Sequence, residues 1–154
     1  MKKPTLKSVS GVGLFLTACG YTCLAWADSQ VGALGADPGA IDRYLVTCSA
    51  NGSGETGRLE VRIRTISNSS PLVSVQAYQA PTATSPGTAS NTTDPVGGDG
   101  SESAPAYIPG VDGDFYVTVD KSGSEAADYE LNYQCQTVNG SASTGTAINL
   151  LQDQ

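Results

Sequence analysis

Between residues 58 and 64 apolar and polar positions alternate without a break. Leu59, Val61 and Ile63 fall on one side of an extended chain, and Arg58, Glu60, Arg62 and Arg64 on the other. That period of two predicts a β-strand with one face in a core and one in water. The same alternation groups Tyr44, Val46 and Cys48 in an earlier strand, and Phe115, Val117 and Val119 in a later one. In a further strand Tyr129, Leu131, Tyr133 and Cys135 oppose Glu130, Asn132, Gln134 and Gln136. Residues 72–80 read as a strand through Val73, Val75 and Ala77, and residues 106–108 as a short one. No segment holds apolar i, i+3, i+4 spacing over three turns, so no helix is predicted.

The connections carry turn chemistry: Asn51-Gly52-Ser53-Gly54, Asn68-Ser69-Ser70-Pro71, Asp112-Gly113 and Ser122-Gly123-Ser124. Many short strands at this spacing predict an all-β domain, an antiparallel, jelly-roll-like β-sandwich over residues 42–137. Residues 81–105 are Ser, Thr, Gly, Pro and Asp with Val96 as the one sizeable aliphatic side chain, and are expected to form a long mobile loop. Residues 28–41 are expected to be a flexible N-terminal segment. Residues 138–154 read as a tail whose apolar stretch 147–151 either adds an edge strand or stays loose.

The N-terminus changes the picture of where this domain works. Lys2, Lys3 and Lys7 precede a mostly apolar run over residues 9–24, followed by Ala25-Trp26-Ala27. This is the pattern of a signal peptide, residues 1–27, cut before Asp28. Leu16-Thr17-Ala18-Cys19 also resembles a lipobox, which would lipidate Cys19 and anchor the protein. Cutting before Asp28 discards Cys19 and Cys23 and leaves Cys48 and Cys135 as an even pair, whereas lipidation at Cys19 leaves Cys23 unpaired. A Cys48–Cys135 disulfide between an early and a late strand is therefore expected. It would close an interval of 87 residues and, by chain-entropy arithmetic, contribute about 4 to 5 kcal/mol. Neither cysteine sits in a C-x-x-C motif, which argues against a redox role.

From residue 28 onward, five cations (Arg43, Arg58, Arg62, Arg64 and Lys121) face all 15 carboxylates of the chain, a net charge of −10. That balance opposes nucleic acid as a partner. No apolar run after the signal approaches the roughly 20 residues of a transmembrane helix.

With the strands laid out, the chain resembles the bacterial pre-peptidase C-terminal (PPC) domain family, a small secreted β-sandwich. Asp42-Arg43-Tyr44-Leu45-Val46 is similar to its opening strand, residues 57–64 to its G-x-L-x-V strand, and residues 110–119 to its G-x-Y-Y-V-x-V strand. Residues 128–133 resemble its closing Y-x-L strand. The disulfide, the long 81–105 loop and the absence of a preceding peptidase domain depart from the family pattern. The resemblance implies a stand-alone sandwich that does no chemistry and serves binding, secretion or spacing.

Candidate chemistry is sparse. The chain has no histidine, which removes Ser-His-Asp and Cys-His nucleophile pairs and the commonest zinc ligand. Its paired acids lie in polar turns rather than facing each other across an apolar cleft, so catalysis is not expected. Asp112 and Asp114, with Asp94 or Asp99 folding over from the long loop, are the candidate calcium ligands, since hard cations take carboxylates and carbonyls from flexible loops. The alternative is that these aspartates initiate turns. Arg58, Arg62 and Arg64 are expected to pair across strands with Glu130 and its neighbours. Tyr78, Tyr107 and Tyr116 are the expected exposed aromatics. The functional expectation is a non-enzymatic structural or assembly module of the bacterial cell surface, periplasm or extracellular matrix, self-associating through β-edges. The alternative is a monomeric, calcium-dependent module binding an extracellular polymer.

Overall fold

In the computed structural model, residues 28–68, 71–83 and 85–154 are described; the expected signal peptide over residues 1–27, and its alternative at Cys19, lie outside the described residues. Nine strands follow in order: β1 (Asp28–Leu34), β2 (Asp42–Ser49), β3 (Arg58–Thr65), β4 (Val73–Gln79), β5 (Thr88–Thr93), β6 (Ala106–Pro109), β7 (Gly113–Lys121), β8 (Ala127–Gln136) and β9 (Gly145–Gln152). They form two antiparallel sheets packed as a sandwich, ordered β1-β8-β3-β6 and β5-β4-β7-β2-β9.

The period of two dictates the layers. Leu59, Val61 and Ile63 of β3 and Tyr129 and Leu131 of β8 point inward and meet Val46 of β2, Val73 and Val75 of β4 and Phe115, Val117 and Val119 of β7, all fully buried. Cys48 on β2 and Cys135 on β8 join the two sheets through a disulfide, with Cα atoms 5.6 Å apart. The staple thus crosses the core from one layer to the other.

Two expectations about the polar segments are corrected, and a third, left open between two readings, is settled. Residues 28–41 are not a loose leader, because β1 pairs with β8 from Asp28↔Tyr133 to Leu34↔Ala127. The 81–105 stretch is not one long loop, because β5 within it pairs with β4 over six residues. The tail contains β9, paired with β2, which is the edge-strand reading of residues 147–151.

On one flank of the sandwich β5 meets β6, tied by the Thr92 hydroxyl donating to the Ala104 carbonyl (2.8 Å) and the Thr88 hydroxyl donating to the Pro109 carbonyl. The opposite flank is bounded by β1 and β9. There the Gly35 N–H donates to the Gln154 carbonyl at 3.0 Å and ties the end of the chain to the β1–β2 connection.

Candidate functional site

The four candidate calcium ligands do not converge. Asp94 is buried between the sheets, its Oδ2 accepting from the Thr65 N–H (2.7 Å) and its Oδ1 from the Val96 N–H (3.1 Å). Its own N–H donates to the Val73 carbonyl, so one residue fastens the ends of β3 and β4. Asp99 Oδ1 accepts from the Ser101 N–H within its own turn. Asp112 lies at the other end of β3, where its Oδ1 accepts from the Thr56 N–H (3.0 Å), and Asp114 Oδ1 accepts from the Thr47 hydroxyl (2.7 Å). Thr56 and Thr65 are nine extended residues apart, roughly 30 Å at 3.3 Å per residue. Among the described residues no three acidic or cysteine side chains gather at metal-ligating spacing. The Thr56 hydroxyl and N–H hold the Asp112 carboxyl below the ordinary aspartate range.

The outer face of the four-stranded sheet pairs its arginines internally, although the buried Arg64 Nε has no hydrogen-bond partner among the described residues. Arg64 pairs with Glu130 across β3 and β8, and Arg62 bridges Glu60 (2.8 Å) and Glu102 (3.7 Å). Arg58 lies 4.2 Å from the Tyr107 ring centroid and donates to Gln136 Oε1. The expected cross-strand pairing holds for Arg64 with Glu130, and Arg58 reaches across to Gln136 and Tyr107, whereas Arg62 pairs along its own strand with Glu60 and with Glu102 of the β5–β6 connection.

The outer face of the five-stranded sheet is different in kind. Tyr78 on β4 and Tyr116 on β7 are register partners, and their rings stack at 5.1 Å with planes 17° apart. Both stay partly exposed, as does Tyr107.

The sheet edges also differ. β5 is short and polar apart from Ala89, β6 ends in Pro109, and β1 begins with Asp28. β9, GTAINLLQ, is eight residues long without a charge or a proline, and it bears Leu150 at 54% and Leu151 at 55% exposure. Natural edge strands are ordinarily guarded by charge, proline or brevity. β9 has none of these guards.

Several buried polar residues escaped the sequence reading, Asp42, Gln79 and Lys121 among them. Asp42 accepts from the Tyr129 hydroxyl and, at 2.9 Å, from the Gln154 N–H, while the Tyr129 and Tyr44 hydroxyls lie 2.6 Å apart. Burial raises Tyr129 well above the ordinary tyrosine range and raises Tyr44 as well, and the Asp42 carboxylate adds to both shifts. Asp42 lies two residues before Tyr44, so the alternation that placed Tyr44 inward also carried the signal for Asp42. Gln79 turns both ends of its amide to Val111, accepting from the N–H (3.0 Å) and donating to the carbonyl (2.9 Å). Lys121 is buried and donates to the carbonyls of Asp37 (2.8 Å) and Gly123 (2.7 Å).

No family model matches the chain, and no curated protein or solved structure matches it. The likeness to pre-peptidase C-terminal domains rests on the strand motifs alone.

Proposed function

We propose that the protein is a non-enzymatic module working outside the cytoplasm, and that its work is assembly: β9 pairs with β9 of a second copy. The observation that carries this is the unguarded β9 edge, and its sequence supplies the partner. An antiparallel β9–β9 pair about a two-fold axis through Asn149 sets Ile148 opposite Leu150 on the inner face. On the outer face it sets Ala147 opposite Leu151. Apolar meets apolar on both faces, with no like charges opposed. The half-exposed Leu150 would gain cover, and the two five-stranded sheets would become one of ten. The Cys48–Cys135 disulfide and the secretion signal both fit an oxidising compartment. The calcium alternative is not carried forward, because at least one oxygen of each candidate carboxylate is already engaged and the four are split between opposite ends of the sandwich.

Sedimentation velocity over a concentration series tests the pairing. The unaltered chain from residue 28 is expected to shift from monomer to dimer with concentration. Leu150→Lys with Leu151→Lys is expected to stay folded and monomeric, since each side chain is about half exposed in the single chain. A monomer at every concentration, or a lysine variant that dimerises like the parent, would rule the pairing out.

A further inference from the structure

Tyr78 of the stacked pair borders a groove that self-association through β9 neither fills nor uses, because β4 and β5 lie at the far side of the sheet from β9. Register places Ala89 of β5 opposite Tyr78, and Tyr116 of β7 opposite it on the other side. Tyr116 covers one face of the Tyr78 ring. Ala89 is too small to cover the other, and beside it runs an open groove of about 290 Å³. Gln76, Asn91 and Thr118 line it together with Tyr78 and Ala89. The Gln76 amide is held by donating to Asp120 Oδ2 at 2.9 Å, which leaves its Oε1 as a fixed acceptor. The Asn91 amide and the Thr118 hydroxyl have no intramolecular partner among the described residues.

This lining offers an aromatic face, amide donors and acceptors and a hydroxyl, and it contains no charged side chain. We infer that the groove is a binding site for a neutral oligosaccharide. A pyranose ring presents an apolar C–H face that suits the open side of Tyr78, and equatorial hydroxyls that suit Gln76, Asn91 and Thr118. The stack on Tyr116 fixes the Tyr78 ring in advance, so little side-chain freedom is lost on binding. The volume sits at the small end for ligand sites, about 300 Å³ upward, which fits a short stretch of sugar chain passing through an open trough. Nucleic acid would find no cation there.

Amide-resolved NMR titration of the chain from residue 28 with cellohexaose, xylohexaose and chitohexaose tests this directly. At least one sugar is expected to move the Gln76, Tyr78, Asn91 and Thr118 signals with a dissociation constant in the millimolar range or tighter. Tyr78→Ala should weaken that binding about tenfold or more, Tyr78→Phe by no more than about threefold, and Tyr107→Ala on the opposite sheet should leave it unchanged. Should Tyr78→Ala fail to fold, Ala89→Trp, which fills the groove from an exposed position, should abolish binding instead. The inference is overturned if none of the three sugars moves these signals at millimolar concentration. It is equally overturned if only a proline-rich control peptide does, or if the folded Tyr78→Ala or Ala89→Trp variant binds like the parent.

Discussion

The Tyr129 hydroxyl stands between the Asp42 carboxylate and the Tyr44 hydroxyl, and its ring takes the space a side chain at residue 32 would need: a Cβ on Gly32 would overlap the phenol. Gly32→Ala should therefore destabilise the fold by about 1 to 3 kcal/mol, measured by urea unfolding. The buried phenol also sets an alkaline limit. Its folded pKa is raised, so its contribution is intact below the unfolded tyrosine value of about 10 and is lost as pH climbs beyond it. Above pH 10 stability should fall by about 1.4 kcal/mol per pH unit for this one residue, and Tyr129→Phe should flatten that slope while weakening the fold at pH 7. Asp112 works in the opposite sense. Its folded pKa is depressed, so what it contributes is present above the unfolded aspartate value and disappears as pH falls through the folded one. Asp94 accepts two backbone N–H groups from its buried position, and Asp94→Asn, which replaces one acceptor by a donor, should cost about 1 to 3 kcal/mol. Because these carboxylates serve the backbone, millimolar calcium and a chelator are expected to give the same thermal midpoint.

The strands legible in the sequence are those that bury a full face. β2, β3, β7 and β8 each alternate because every second side chain enters the core, and that burial is what the pattern records. β1 and β5 left no such trace. Of β1 only Leu34 is fully buried, and no side chain of TASNTT in β5 is, so these edges are held by backbone pairing and by their neighbours rather than by apolar burial. A strand without a buried face reads as linker. The tyrosines were legible one at a time, since Tyr44, Tyr129 and Tyr133 shared parity with core residues and Tyr78 and Tyr116 did not. Their stacking required the β4–β7 register, and the groove required the β4–β5 register, neither of which a linear pattern contains. The same limit applies to the four aspartates: turn chemistry placed Asp94, Asp99 and Asp112 in connections, Asp114 instead lies inside β7 opposite Thr47, and only the topology shows that these positions lie at opposite ends.

For the whole molecule the two sheets bear different relations to their surroundings: one outer face is closed by its own ion pairs, and the other presents tyrosines, amides and an unguarded edge. A ten-stranded sheet formed through β9 would hold two copies of β4 seven strand spacings apart, roughly 34 Å, so a polymer long enough to span both grooves would be held by both. Reducing the disulfide should lower stability by about 4 to 5 kcal/mol, read as a lower urea midpoint. The position of the staple has a mechanical consequence as well. Both terminal strands lie outside the loop that the Cys48–Cys135 bond closes. Under tension applied at residues 28 and 154, β1 and β9 can peel away, but only residues 28–48 and 135–154 can lengthen, roughly 130 to 140 Å of contour. The 87-residue interval stays locked; under reducing conditions force spectroscopy should release roughly 300 Å more. Oxidised, the module is a tether with a hard stop, whose outer strands yield first and whose core does not follow.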